Sequence, residues 1–300
     1  MFDNFTRAAA ARNPIRLEGT DAVRLVDGPG DGCGDVEIDD FAGHWLVQTR
    51  EEDFPDWLSA ARWPPASGPK AIYWKKLGDK KPPRWIAGEK LAAPFIVREW
   101  GLQYWIDFQA GYSQGLFLDQ RLNRSRVREF QGSVLNCFAY TCAFGVSAAA
   151  GGARTLNVDL SKKYLDWGKR NYRSNGIDPA RHEFLYGDMF EWMKRFRKKG
   201  RFFDLIILDP PTFSRNAAGE VFSVESRMSD LAGLSESVLS ESGTILCSTN
   251  QRSLNSAQFL KIILRGMRDG SAWSAAPAPM PPDFTGEKYL KTWWLKRRMT

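Results

Sequence analysis

A regular alternation of apolar runs and helical patterns begins at Gly132 and most constrains the fold. Five apolar runs are each followed by a helical pattern, and they read "SVLNCFAY", "RTLNVDLS", "HEFLYGD", "FFDLIILD" and "TILCSTN". Strands that are apolar on both faces and alternate with helices are typical of a parallel sheet covered by helices. The pattern predicts an α/β domain that ends in a hairpin of the strands "SAWSAA" and "YLKTWWLKRR". It also predicts a helix over residues 225–243, "ESRMSDLAGLSESVLSESG".

The residues before about Ala93 follow a different pattern. Short alternating pieces, "AVRLV", "DVEID" and "HWLVQT", are separated by the turn-forming stretch "DGPGDGCG". We therefore expect an N-terminal arm over residues 1–20, a small β-rich domain over 21–93 and the α/β domain over 94–300. The β-rich domain contains the basic, aromatic stretch "KAIYWKKLGDKKPPRW". Such mixing suits base stacking and phosphate neutralisation, or else a proline-broken loop of an aromatic-packed domain.

Charge and composition limit the partners. The chain has 42 Lys and Arg against 35 Asp and Glu, and this net charge of +7 favours a polyanion such as nucleic acid. No apolar run reaches the length of about 20 residues that spans a bilayer, and the N-terminus lacks the apolar core of a secretory signal. We therefore expect a soluble, cytoplasmic protein without a membrane partner. Four scattered cysteines and two histidines argue against a metal site or a disulfide framework.

Polar residues stand at the carboxyl ends of the predicted strands, where open parallel sheets bind ligands. The candidate cofactor-binding residues there are Asn136, Phe138, Tyr140, Thr141, Asp159, Ser161, Asp188 and Asp209. An acid after the second strand commonly holds ribose hydroxyls, although Asp159 could instead cap a helix. The chain has neither the spaced glycines of dinucleotide sites nor a lysine-bearing phosphate loop. A nucleoside cofactor without phosphates, S-adenosylmethionine, fits these residues.

Several of these segments resemble a known family. The runs "GYSQGLFLDQRLNR", "VLNCFAYTCAFGVSA", "VDLSKKYLDWGKRN", "FDLIILDPPTFSR" and "ILCSTNQR" are similar to the bacterial 23S ribosomal RNA methyltransferases of the RlmI type and to the C-terminal half of the RlmKL type. The stretch "VRLVDGPGDGCGDVEIDDFAGHWLVQT" also resembles the small β domain of RlmI-type proteins. The resemblance implies a class I methyltransferase fold, with a Rossmann-like sheet of about seven mostly parallel strands.

The resemblance also implies roles for individual residues. Phe117 and Arg121 would lie on a lead-in segment that closes over S-adenosylmethionine, while Asp159 and Asp188 would hold its ribose and adenine. The catalytic site would be lined by Asp209, Pro210, Pro211 and Phe213. A proline pair fixes φ and offers no amide donors, so it could form a stiff shelf for an acceptor base. Phe213 could stack on that base or could belong to the core.

The same resemblance implies RNA, in particular 23S rRNA, as the partner. The candidate RNA contacts are Lys75, Lys76, Lys80, Lys81, Arg215 and Arg252. Arg215 and Arg252 could instead cap loops. Basic side chains at these positions would neutralise phosphates and make binding depend on salt.

Two departures from the family pattern bear on the chemistry. Cys142 stands where the family usually has a glycine that lets the backbone approach the cofactor. Thr249 stands where RlmI-type enzymes carry the cysteine nucleophile needed at carbon 5 of a pyrimidine.

The acceptor atom is inferred from the same resemblance. The segments "DPPTFSR" and "STNQR" are similar to the C-terminal half of the RlmKL type, which implies guanine N7 as the acceptor. That atom requires neither a nucleophile nor a base, which agrees with a chain that lacks both. The alternatives are cytosine C5 methylation with Cys247 as a displaced nucleophile, a small-molecule or protein methyltransferase, and a non-catalytic RNA or cofactor binder.

Overall fold

The chain forms two compact units. A computed structural model describes residues 1–59, 68–111, 113–215 and 221–298. Unit 1 comprises Met1–Arg121 and Pro281–Lys288, and unit 2 comprises Leu122–Met280 and Tyr289–Thr300. The boundary expected after residue 93 therefore falls inside unit 1. Among the described residues, no helix is both long and apolar enough to cross a membrane.

Unit 1 is built around a five-stranded sheet. Its helices are α1 (Phe2–Ala11), α2 (Asn13–Leu17) and α3 (Asp56–Ser59), and its strands are β1 (Ala22–Asp27), β2 (Glu37–Phe41), β3 (His44–Thr49), β4 (Ala71–Lys76), β5 (Arg84–Gly88), β6 (Phe95–Glu99) and β7 (Leu102–Ile106). Strands β1 to β5 lie in chain order, and only the β3–β4 pair is parallel. Strands β6 and β7 form a separate hairpin. The predicted β-rich region is thus confirmed.

Unit 1 contains a largely buried cluster of charged side chains. Arg24 donates hydrogen bonds to Asp27, Glu37 and Asp39 over 2.6–2.8 Å. Three carboxylates thus share one guanidinium. Burial raises the pKa of Asp39 to about 6, and the nearby Arg24 opposes that rise.

Unit 2 contains the predicted α/β sheet. Its helices are α4 (Arg121–Val127, whose first residue belongs to unit 1), α5 (Ala143–Ala150), α6 (Lys162–Ser174), α7 (Met189–Lys198), α8 (Val224–Glu236) and α9 (Ser256–Gly266). Its strands are β8 (Ser133–Cys137), β9 (Arg154–Asp159), β10 (Glu183–Tyr186), β11 (Phe203–Leu208), β12 (Phe213–Arg215), β13 (Val221–Ser223), β14 (Leu239–Thr249), β15 (Trp273–Ala278) and β16 (Lys291–Arg297). Strands β12 and β13 form a separate hairpin.

The large sheet has seven strands in the order β10-β9-β8-β11-β14-β16-β15. The first five strands are parallel, while β16 runs antiparallel to both of its neighbours. Successive side chains of a strand point to opposite sides of the sheet. Both faces are apolar because consecutive residues of these strands are apolar. Leu135 and Ile206 pack with helices α7, α8 and α9, whereas Val134 and Leu205 pack with α5. The predicted fold class is confirmed.

One predicted element is wrong in its second half. The helix expected over residues 225–243 ends at Glu236, and strand β14 begins at Leu239. Leu239 pairs with Phe203 of β11, and the sheet therefore satisfies the backbone groups of this segment. Helical spacing of leucines could not reveal this pairing, since it depends on a distant strand.

Candidate active site

The predicted site residues of unit 2 meet at one edge of the large sheet. Strands β8, β9, β10, β11 and β14 are parallel, so their carboxyl ends lie together. Strand order reverses at β8, which lies between β9 and β11. Ligands of open α/β sheets bind at such a switch point.

The loop Phe138–Cys142, called the β8–α5 loop below, has a strained backbone. Three of its residues have a left-handed conformation, with φ of 55° at Phe138, 47° at Tyr140 and 58° at Cys142. Each such residue costs about 1 kcal/mol or more, and strain of this kind concentrates at functional sites. The loop is held in place because the amide of Ala139 donates to the carbonyl of Val158 over 2.9 Å.

Cys142 fits the position where a glycine is usual because α6 makes room for it. A Cβ placed on Gly168 of α6 would lie 2.3 Å from the Cys142 Sγ, so the glycine at 168 provides the space for this contact. The thiol is buried, and burial raises its pKa well above the ordinary value. The cysteine side chain therefore packs against α6.

Asp159 anchors the loop and keeps acceptor capacity. One carboxylate oxygen accepts from the amide of Tyr140 and the other from the amide of Ser161, both over 2.8 Å. A carboxylate oxygen has two lone pairs, so each could still accept a ribose hydroxyl. Burial raises the pKa of Asp159, and these two amides oppose the rise. The helix cap of α6 is Ser161 and not Asp159, since the Ser161 Oγ accepts from the amide of Tyr164.

Leu160 is a site candidate that sequence reasoning missed. It follows Asp159 directly, and its side chain is 37% exposed. An exposed apolar side chain beside the ribose candidate could cover a flat aromatic base. An apolar residue directly after the acid at the strand end was the only available signal.

Asp188 has an observed role as a helix cap. Its Oδ1 accepts from the amides of Phe190 and Glu191 over 2.8 Å and 3.3 Å at the start of α7. The adenine contact that the resemblance implies for this residue stays a prediction.

Asn136 and Thr141 support the loop from beneath. Both are buried. The side-chain nitrogen Nδ2 of Asn136 donates to Asn157 Oδ1 over 2.9 Å. The backbone carbonyl of Thr141 accepts from Asn171 Nδ2 over 2.9 Å. These contacts favour a positioning role for the Asn136 side chain and for the backbone of Thr141.

The segment after β11 presents a carboxylate, two prolines and an aromatic ring. Ser248 Oγ donates to Asp209 Oδ1 over 2.6 Å, which links the ends of β14 and β11. Pro210 is buried, while Pro211 is exposed. The Phe213 side chain is 61% exposed, so the alternative that it belongs to the core is wrong.

Neither residue considered for pyrimidine chemistry offers a nucleophile. Cys247 is fully buried in the core beneath the helices, and burial raises its pKa far above the ordinary value of a thiol. Thr249 is buried, and its Oγ1 accepts from the amide of Gln251 over 3.2 Å. A thiolate at Cys247 is therefore strongly disfavoured.

Phe117 and Arg121 belong to unit 1. Phe117 is an exposed aromatic residue. Arg121 is buried, and its two terminal nitrogens each donate to one oxygen of Asp283 over 2.9 Å, while Nη2 also donates to the carbonyl of Ala22. This bidentate pair favours a structural role for Arg121 within unit 1.

The predicted RNA contacts separate into buried and exposed residues. Lys75 is only 5% exposed because β4 is covered on the face to which it points, so its charge is not presented to a large partner. Lys76 forms an ion pair with Glu52. Lys80 and Lys81 are exposed and follow β4 in the loop that leads to β5.

Further exposed groups accompany these lysines. Trp85 on β5 is exposed, and the Arg84 guanidinium lies 5.2 Å from the ring centre of Trp74. In unit 2, Arg252 is exposed and lies 5.1 Å from the ring centre of Tyr289. The side chain of Arg215 lies outside the described part of the chain.

Comparison with known proteins decides the family. The model of the S-adenosylmethionine-dependent methyltransferase family matches residues 47–272. The chain belongs to this family. It is 31% identical to ribosomal RNA large subunit methyltransferase K of Neisseria meningitidis serogroup B, over 88% of this chain and 75% of that protein. It is also 31% identical to ribosomal RNA large subunit methyltransferase I of Aeromonas salmonicida, over 85% of this chain and 68% of that protein.

A solved structure supports the same assignment. The crystal structure of SMU.776 complexed with SAH has 30% sequence identity and a TM-score of 0.88, and the match covers 98% of this chain and 80% of that one. The residues of this methyltransferase fit its cofactor, S-adenosylmethionine. Asp159 could accept from a diol through its remaining lone pairs, Leu160 offers an exposed apolar surface, and the β8–α5 loop starts at the end of β8.

Proposed function

We propose that this methyltransferase modifies a base of large-subunit ribosomal RNA. The observation that carries the proposal is the exposed Phe213 ring, which follows the rigid Pro210–Pro211 pair at the sheet edge where Asp209 also lies. An aromatic ring of this kind can stack on a base that has left its helix. The names of the relatives, methyltransferases K and I of the ribosomal large subunit, support the same substrate class.

The residues of unit 2 would divide the work of binding and positioning. Asp159 would accept hydrogen bonds from the ribose hydroxyls of S-adenosylmethionine. Leu160 would pack on the adenine ring, and Asp188 would accept a hydrogen bond from the adenine amino group. The β8–α5 loop would surround the methionine part. When bound, S-adenosylmethionine supplies a methyl group on a positively charged sulfur. Ser248 would keep the Asp209 carboxylate in one orientation beside the acceptor.

The favoured acceptor is guanine N7. Transfer would break the bond between sulfur and the methyl carbon and form a bond between that carbon and N7, whose lone pair would supply the electrons. The positive charge would move from sulfur to the purine, and no proton would have to leave. This chemistry needs neither a thiolate nor a strong base, which agrees with the buried Cys247 and with Thr249.

The exposed basic residues of unit 1 are candidates for holding the RNA. Lys80 and Lys81 would neutralise phosphates, and Trp85 could stack on an unpaired base. Replacing both lysines by alanine should weaken RNA binding and reduce its salt dependence. Filter binding at two salt concentrations measures both quantities, and an unchanged affinity and salt slope would exclude these lysines.

The proposed stacking role is tested with two exposed phenylalanines. Phe213→Ala should reduce methyl transfer to an unmodified 23S rRNA transcript by about 5- to 150-fold, since stacking of one base is worth about 1–3 kcal/mol. Phe202→Ala is the matched control, because Phe202 is 56% exposed but precedes β11 at the opposite edge of the sheet. Equal rates for wild type and Phe213→Ala, or no transfer to RNA by the wild type, would overturn the proposal.

A further inference from the structure

A chain of hydrogen bonds runs through the interior of unit 2 from Asn136 to His182. Asn136 Nδ2 lies 2.9 Å from Asn157 Oδ1, and Asn157 Nδ2 lies 3.1 Å from the Tyr172 hydroxyl. That hydroxyl lies 2.6 Å from Thr155 Oγ1, which lies 3.0 Å from His182 Nδ1. The first four residues are buried, whereas His182 is half-buried. The chain therefore connects the site end of β8 with a titratable group.

Two backbone groups fix the direction of these bonds. The carbonyl of Glu183 can only accept, so the nitrogen of the Asn157 side chain faces it and the oxygen faces Asn136. The amide of Thr155 can only donate, and it lies 3.2 Å from His182 Nδ1. Nδ1 is therefore an acceptor, and His182 is neutral with its proton on Nε2. Each hydroxyl along the chain then donates toward the histidine.

The hydrogen-bonded chain lies directly beneath the start of α5, which follows the β8–α5 loop. A Cβ on Gly145, in the first turn of α5, would lie 2.2 Å from Asn157 Oδ1 and 2.5 Å from the Tyr172 hydroxyl. The start of α5 therefore packs directly against this chain of hydrogen-bonded side chains. Asn171, the neighbour of Tyr172 on α6, donates to the carbonyl of Thr141 in the loop. Displacement of these side chains would therefore disturb the loop.

The surroundings of His182 favour its neutral form. Its ring packs against the Tyr172 ring of α6, with 5.1 Å between the ring centres. Burial lowers the pKa of His182, Asp178 opposes this change, and Arg154 of β9 and the neighbouring Arg181 add to it. Protonation would place a hydrogen between Nδ1 and the two donors that face it, so the Thr155 amide would lose its acceptor.

We propose that neutral His182 is a positioning residue for cofactor binding, acting through Thr155, Tyr172, Asn157 and Asn136 on the β8–α5 loop. The inference rests on the proposed use of this loop to hold S-adenosylmethionine. Protonation of His182 turns Nδ1 into a donor, so it no longer accepts the hydrogen bonds from Thr155. This change loosens the β8–α5 loop. Cofactor affinity then falls in acid, by about tenfold if one buried hydrogen bond is lost.

Calorimetry with S-adenosylhomocysteine between pH 8 and pH 5 tests this inference. The wild-type dissociation constant should rise toward pH 5, by up to about tenfold. His182→Asn keeps an acceptor without a titratable ring and should show a much flatter pH profile, whereas His182→Ala should bind weakly even at pH 8. His44→Asn is the matched control, because His44 is the other histidine, belongs to unit 1 and should not alter the wild-type profile.

Two results would overturn the inference. One is a flat wild-type profile, or an unaltered acid loss in His182→Asn, in protein shown to be folded by circular dichroism. The other is a His182 ring protonated on Nδ1 at pH 8 in a nitrogen-correlated NMR spectrum. Failure of the wild type to bind S-adenosylhomocysteine at pH 8 would instead remove the proposed function, and this inference with it.

Discussion

Unit 1 buries charged side chains in ion pairs and ionic clusters, whereas unit 2 buries neutral side chains in a directed chain of hydrogen bonds. In unit 1, Arg121 and Asp283 form a bidentate pair with almost no exposure to solvent. In unit 2, Asn136, Asn157 and Tyr172 satisfy one another without a net charge. A buried ion pair depends on the presence of both charges. A neutral chain depends instead on every donor pointing the right way, which makes it more tolerant of salt and less tolerant of a misplaced proton.

Removing one member of the buried pair should have the largest effect. Asp283→Ala removes both carboxylate bonds of the Arg121 guanidinium, which keeps its bond to the carbonyl of Ala22. It also removes the carboxylate that accepts from the Arg24 amide. We expect unit 1 to lose about 3–5 kcal/mol of unfolding free energy. Urea denaturation followed by hydrogen exchange in β1 measures this loss.

A surface pair provides the control for this substitution. Asp166→Ala breaks the exposed contact with Lys169 and should cost less than about 0.5 kcal/mol. If Asp283→Ala were equally mild, the contrast between the two units would disappear.

Loss of the loop-anchoring carboxylate should have the next largest effect. Asp159→Ala should weaken S-adenosylmethionine binding by about 1–3 kcal/mol, because the proposed ribose contacts and the acceptor of the Tyr140 amide are both lost. Calorimetry measures the dissociation constant. Asp269→Ala removes an exposed cap of the Ser271 amide and is the control. An unchanged constant in Asp159→Ala would contradict the assignment.

A single neutral hydrogen-bond donor should have a smaller effect. Ser248→Ala removes the bond to Asp209 and should lower kcat by about fivefold, while cofactor affinity stays the same. Single-turnover rates with RNA in excess separate the two quantities. Ser174→Ala, which removes an exposed bond to the Arg170 carbonyl, should have the wild-type rate. A fall in cofactor affinity instead of rate would place Ser248 elsewhere in the reaction.

A fall in pH should have the smallest effect of these changes. It should stabilise unit 1 and destabilise unit 2. Burial raises the pKa of Asp39 and of Asp40 to about 6, so their contribution to stability is present in acid and is lost as the pH rises through 6. Burial lowers the pKa of His182 from its ordinary value of 6.5, so its contribution is present above that value and is lost as the pH falls through the lowered pKa.

Hydrogen exchange at pH 7 and pH 5, corrected for intrinsic rates, measures this difference. Protection should rise in β2 and fall in β9. Asp39→Asn and His182→Asn should each reduce the change in their own unit. Changes of the same sign in both units would show that other groups dominate.

The sheet and the positions of the candidate site residues at its strand ends could be predicted from the sequence. Apolar runs buried on both faces and separated by helical patterns are a local signal, and the end of each run marks the strand end that holds Asp159, Asp188 or Asp209. The end of α8 could not be predicted, because Leu239 takes part in the sheet only through its partner in β11.

The roles of several polar residues required the tertiary structure. Lys75 looked like a surface cation within a basic stretch, yet it points to the covered side of β4. The contact between Asn136 and Asn157 exists because the register of β8 and β9 places them opposite each other. No local sequence pattern encodes this register. The series of hydrogen bonds from Asn136 to His182 therefore could not be predicted from the sequence.

The identity of the methylated nucleoside tests the central claim most directly. Purified protein, labelled S-adenosylmethionine and unmodified 23S rRNA are incubated, and the labelled nucleoside is identified by mass spectrometry after digestion. Label in 7-methylguanosine is the predicted result. Label in 5-methylcytidine would contradict the acceptor, because it requires a thiolate that the buried Cys247 does not offer, and an absence of label in RNA would contradict the proposed substrate class.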